Sequence, residues 1–191
     1  MSLKSVLAAA ALSAFCALPA TADTAVTDAM KALADGQVRE WVTDRLVVTA
    51  VQSQNLRNAN LTEQQILELD QTWRDQTITG GAMIDEVLAN ALSKHLRQFQ
   101  VQGKGRYTEI FVTDSNGLNV GQSDVTSDYW QGDEDKWQVP VATGRPHVSD
   151  IEFDESTQTY QSQLSVPIRD ADRIIGVITV GVNVEMLAQL N

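Results

Sequence analysis

Three aromatic side chains, Tyr129, Trp130 and Trp137, stand in a polar stretch from Ser123 to Gly144 that has no regular period. Rings with a polar tip supply the rigid wall and the hydrogen bond that a small-molecule pocket needs. They are also the groups that enclose an ammonium ion over a ring face. The other use of such rings is to fasten a long loop to the body of a domain. Asp150 falls in a segment of strand character, where a carboxylate either faces solvent or finds a partner. Arg145 carries a forked guanidinium suited to a carboxylate, whether on a ligand or on a neighbouring acid. Tyr107, Thr113, Tyr160 and Ser165 complete the candidate ligand-binding set as residues expected to line the pocket.

Other chemistries find less support. Asp128, Asp133, Glu134 and Asp135 are dense in acid, but their spacing fits no calcium loop, and a solvated acidic loop is expected. His95 and His147, the only histidines, have no cysteine or histidine at metal-ligand spacing. Neither a Gly-x-Ser-x-Gly elbow, a His-Glu-x-x-His pair nor a phosphate loop occurs. No catalytic residue, metal or cofactor is expected.

The elements that must position the candidate residues run helices first and strands afterwards, the order of an α+β domain. A first helix is expected over about Thr24 to Leu56, with Gly36 as a local weakness. Thr62 and Gln65 form a capping box, and Leu61 and Ile66 a hydrophobic staple, at the start of a second helix. Thr79-Gly80-Gly81 is a loop, and a third helix follows from Met83 to Phe99. From Tyr107 the period changes to that of strands: Tyr107–Val112, an Asp114-Ser115-Asn116-Gly117 turn, Leu118–Gln122, Arg145–Phe153, then Thr159–Ile168 and Arg173–Val182 around Asp170-Ala171-Asp172. The turn before this last pair is expected at Asp154 to Thr157. The last strand is apolar on both alternating faces and should be central. A short helix, Val184 to Leu190, closes the chain. The expected architecture is therefore a long helix and two more helices packed on a five-stranded antiparallel sheet.

The start of the chain reads as a cleavable export signal over residues 1–22: a basic start at Lys4, an apolar run from Val6 to Leu18, and small residues before a cut after Ala22. Phe15 before Cys16 argues against a lipid anchor, and cleavage would remove Cys16. The single domain is expected over residues 23–191. With Lys4 removed, thirteen basic side chains face 25 acidic ones, which disfavours nucleic acid and anionic membrane surfaces as partners. No later run has the apolar length to span a bilayer, and the expected location is the periplasm or the exterior.

The sheet half resembles the Cache family of extracellular sensor domains, also called PAS-like or PDC domains. The resemblance rests on Glu109-Ile110-Phe111-Val112-Thr113-Asp114-Ser115-Asn116-Gly117, on Ser127-Asp128-Tyr129-Trp130-Gln131-Gly132-Asp133-Glu134, on Val148-Ser149-Asp150, and on the ending Ser165-Val166-Pro167-Ile168 with Ile175-Gly176-Val177-Ile178-Thr179-Val180-Gly181-Val182. It implies a domain that binds amino acids, amines or carboxylates and serves chemoreceptors or kinases, and it implies an acidic residue such as Asp150 holding a ligand amine. Because no membrane helix or output module follows before Asn191, the expectation is a free-standing sensor with a separate membrane receptor or kinase as partner. A pure interaction protein with a collapsed pocket is the alternative. The long first helix either packs only on its own sheet or also forms a homodimer with a second copy.

Overall fold

A computed structural model describes residues 20–155 and 158–188. The apolar run of the expected export signal, with Cys16, lies outside the described residues, as do Ser156 and Thr157 of the expected turn and the last residues of the closing helix. Among the described residues no helix is long and apolar enough to cross a membrane.

The α+β class holds, and the strongest local signals sit where expected. The Thr62–Gln65 capping box starts helix α4, Glu63–Thr79: Gln65 N donates to Thr62 Oγ1 at 3.3 Å and Thr62 N to Gln65 Oε1 at 2.9 Å. The first helix is not one rod. It divides into α1 (Ala20–Leu33), a wide turn at Ala34–Val38, α2 (Arg39–Val42) and α3 (Arg45–Arg57). Gly36 leaves helical geometry in the wide turn (φ −99°, ψ −105°), as a residue without Cβ does most readily. The second break is at Asp44, extended, whose carboxylate accepts from Leu46 N at 2.7 Å and so begins a new helix. Asp44 also meets His95 Nε2 at 3.2 Å, and His95 packs on Phe99, which accounts for one of the two histidines.

The expected third helix likewise divides, into α5 (Ala82–Ala89) and α6 (Ala91–Gln102). Asn90 between them is extended. Its side chain accepts from Ser93 N at 2.7 Å and donates to Val120 O at 2.9 Å, so one amide both caps α6 and ties it to the sheet.

The sheet has six strands where five were expected: β1 (Tyr107–Thr113), β2 (Asn119–Gln122), β3 (His147–Val148), β4 (Glu152–Asp154), β5 (Thr159–Asp170) and β6 (Arg173–Asn183). Their order is β2-β1-β6-β5-β3, with β4 also on β5 and every pair antiparallel. The extra strand arises because the expected strand over Arg145–Phe153 is interrupted. Ser149 Oγ accepts from Gln163 N at 2.9 Å and Ser149 O accepts from Ser162 Oγ at 2.7 Å, and the chain leaves the ladder at Asp150. Arg145 lies before it, outside any strand. The aperiodic stretch contains a nine-residue helix that was not expected, α7 (Asp135–Thr143), ended by Gly144 in the left-handed region at φ 68°. Pro140 inside it and its few apolar residues obscured the period. A last helix, α8, runs over Val184–Ala188.

β6 is central and buried along most of its length, as its sequence required. Ile110, Val112, Leu164, Ile178 and Val180, all fully buried, face α1–α3 and α6. Trp41 stacks on Phe99 with ring centres 4.5 Å apart and meets the edge of Tyr107 at 5.3 Å. A second cluster, Trp73, Ile84, Leu118 and Tyr129, joins α4 and α5 to the β1–β2 turn.

Between the two clusters sits Asp114, fully buried. Its Oδ1 accepts from Asn116 N at 2.8 Å and Leu118 N at 3.0 Å, and its Oδ2 from Gln54 Nε2 at 3.1 Å and Asn58 Nδ2 at 2.9 Å. Replacing Asp114 by Ala leaves four donors without their acceptor, those of Gln54 and Leu118 buried. We expect a loss of about 3 kcal/mol or more in chemical denaturation. Asp114→Asn also destabilises, because its new amide faces the Gln54 and Asn58 donors. Gly176 gives a second test. A Cβ there would lie 2.1 Å from Thr113 O and 3.0 Å from Val51 Cγ1, so Gly176→Ala must spread β1 from β6, at about 1–3 kcal/mol.

Candidate functional site

The sheet face opposite the core is built from register. Residues directly across antiparallel strands share a face. One row is Glu109, Gly181 and Gln163; the next is Phe111, Thr179, Ser165 and His147; the third is Thr113, Val177 and Pro167. The first row is polar. Gln163 Nε2 donates to Glu109 Oε1 at 2.9 Å, and Gln161 Nε2 donates to Asp154 Oδ2 at 2.8 Å. A Cβ on Gly181 would lie 2.8 Å from Glu109 Cγ and 2.3 Å from Thr108 Oγ1, so glycine leaves the space across which these side chains lie. Burial pushes the Glu109 carboxyl above its ordinary range, with the Gln163 hydrogen bond and the Lys136 charge pulling the other way.

The segment from Ser123 to Gly144 lies over this face, α7 against β5 and β6. It is held down by named bonds. Asp70, buried on α4, accepts from Tyr129 N and Trp130 N, both at 2.9 Å. Arg74 bridges Asp70 at 2.6 Å and Asp128 at 2.9 Å, and those two charges raise its pKa. Trp73 Nε1 donates to Thr126 O at 2.8 Å, Trp130 Nε1 to Asn116 O at 2.9 Å and Trp137 Nε1 to Asp114 O at 3.2 Å.

Two cavities of about 410 and 350 Å³ open between sheet and segment. The first is lined by Glu134, Asp135, Lys136, His147, Val148, Ser149, Asp150, Glu152, Gln161 and Gln163. The second is lined by Glu109, Phe111, Val125, Thr126, Ser127, Gln131, Lys136, Asp154 and Gln163. Lys136 and Gln163 line both. Lys136 Nζ pairs with Glu134 Oε2 at 2.9 Å and stands 5.7 Å from the centre of the Phe111 ring.

Of the residues expected to line a pocket, Asp150 does so, at the exposed mouth of the first cavity. Tyr129, Trp130 and Trp137 line neither cavity and do not converge with Asp150. Tyr129 packs on Trp73, ring centres 5.4 Å apart, and its phenol is pushed up to about 12 by burial and by the neighbouring Asp114 charge. The three rings act as fasteners of the segment. Arg145 is exposed and its backbone N–H donates to Thr143 Oγ1. Tyr107 faces the helix side, its hydroxyl donating to Gln37. Thr113 and Ser165 are on the open face but closed in, bonded to Val177 O at 3.2 Å and Thr179 Oγ1 at 3.0 Å. Tyr160 is half exposed against Phe153. Sequence reasoning missed Glu109, Lys136, Gln161 and Gln163. The signal was present: Glu109 interrupts an apolar strand, and Gln161, Gln163 and Ser165 alternate along β5. The acidic loop is partly paired, Asp128 with Arg74 and Glu134 with Lys136.

A model of the family described as methyl-accepting chemotaxis protein-like, first PDC sensor domain, matches residues 77–189. Similar solved structures include the sensory domain of the Campylobacter jejuni chemoreceptor Tlp3, at 17% identity and TM-score 0.44, covering 86% of this chain and 67% of that one. Others are the ligand-binding domain of the Pseudomonas aeruginosa amino acid chemoreceptor PctC in complex with GABA, at 16% and 0.43, covering 75% and 59%, and the sensor domain of the V. cholerae histidine kinase DctB, at 12% and 0.41, covering 88% and 60%. This chain thus spans less than two thirds of the length of the latter two. Comparison with curated proteins found no match. Since the family model spans more than half of the sequence, the chain belongs to the methyl-accepting chemotaxis protein-like family of first PDC sensor domains.

Proposed function

We propose that this chain is an exported sensor domain that holds a small molecule of the amino acid, amine or carboxylate class between its sheet and the Ser123–Gly144 segment, and passes its state to a separate membrane receptor or kinase. The observation that carries the reading is the pair of adjoining cavities on the open sheet face. Their volumes lie in the range of small-molecule sites, and polar side chains from β1, β5 and α7 converge on them. The family to which the chain belongs is one of sensor domains, and the P. aeruginosa relative binds GABA, an amino acid. Ligand entry would bias the segment between two positions, and that bias is what a partner would read. Self-association through the N-terminal helix is part of the same reading. It would use the outer face of α1, because Met30 and Leu33 are buried in the chain's own core.

A thermal-shift and tryptophan-fluorescence screen with amino acids, amines and short carboxylates tests the proposal. At a hundredfold excess over Kd a true ligand adds about 2.7 kcal/mol, roughly 5–10 °C for a chain of this size. Gln163→Ala is expected to erase the shift, since Gln163 borders both cavities. A flat response to the whole panel argues decisively for the alternative, an interaction protein without a ligand.

A further inference from the structure

The two cavities are unevenly charged. Carboxylates from Glu109, Glu134, Asp135, Asp150, Glu152 and Asp154 line them, against the ammonium of Lys136 and the imidazole of His147. Among the described residues no arginine borders either cavity, so the forked donor that best grips a ligand carboxylate is lacking there. The single ammonium has a definite seat. It is paired with Glu134, stands over the Phe111 ring, and occupies the junction of the two cavities. A ring face with a carboxylate beside it is the environment that recognises an organic cation.

We propose that the seat of the Lys136 ammonium, formed by Phe111, Glu134 and the nearby Glu109, is the cation subsite of the pocket, and that an amine ligand binds by displacing this built-in ammonium. The inference rests on the sensor reading above and narrows its ligand class to amines. Displacement is cheap because the Lys136–Glu134 pair is partly exposed, and such pairs are weak. It is also informative. Lys136 is the second residue of α7, next to Trp137, whose indole is bonded to Asp114 O. Moving the lysine out therefore changes the first turn of the helix that closes the site.

Isothermal titration of the purified chain with 1,4-diaminobutane, L-valine and succinate, a cation, a zwitterion and a dianion, tests this. The diamine is expected to bind and the other two to bind at least tenfold more weakly. Lys136→Met, which vacates the seat, is expected to tighten diamine binding at least tenfold, with Lys136→Gln as a second vacating variant and circular dichroism to verify folding. Glu109→Gln and Glu134→Gln are expected to weaken it at least tenfold. Tighter binding of valine or succinate, lost in Lys136→Met, would make Lys136 an anion holder and overturn the inference while leaving the sensor reading intact. Unchanged diamine affinity in both vacating variants also overturns it. Silence of the diamine on both wild type and Lys136→Met overturns the inference, whereas the sensor reading falls only if the full screen above is flat as well.

Discussion

The structure hangs on the Asp114 carboxylate. A buried charge is tolerated only when its lone pairs are filled, and here four N–H donors fill them: two from the turn that follows β1 and two side-chain amides, Gln54 from α3 and Asn58 from the residue just after it. That one group therefore fixes the β1–β2 turn, the distance of α3 from the sheet edge, and the depth at which Leu118 enters the second cluster. Its own carbonyl accepts from Trp137 and from Gly117 N, so the overlying segment is registered against the same point. Remove the carboxylate and the helix layer, the turn and the segment lose their common reference.

From that reference the two sheet faces take different roles. The face toward the helices is hydrocarbon throughout its centre and supplies the burial that stabilises the domain. The other face carries a row of polar side chains that a closely packed layer would have to desolvate. The segment over it touches the sheet at fixed points and leaves space between them. The space follows from the way α7 is seated, by Pro140, Gly144 and Trp137 rather than by a continuous apolar stripe.

Much of this was legible in the residues. The α+β order, the capping box at Thr62, the Asn-Gly turn and the central position of β6 follow from local propensity and from period. Three features did not. Gly36 is legible as a weak point, but the helix breaks at Asp44 and Asn90 depend on side chains whose further partners, His95 and Val120 O, are supplied by distant parts of the chain. The split of the strand after Val148 depends on Ser149 bonding across to Gln163. The position of the aromatic rings away from the two cavities was not legible, because an indole or phenol in an aperiodic loop has the same appearance whether it faces a cavity or donates to a carbonyl. Trp130 and Trp137 donate to Asn116 O and Asp114 O. The polar row of Glu109 and Gln163 was readable by alternation, but only once the buried face of each strand was identified.

The way the segment is tethered has a mechanical consequence. Near its start Asp70 holds the Tyr129 and Trp130 amides, and at its end Arg169 donates to Gly144 O at 3.2 Å. A ribbon clamped at both ends does not swing; it bows. Whatever give the ribbon has is left to the span between Trp130 and Trp137, whose indoles are its inner anchors.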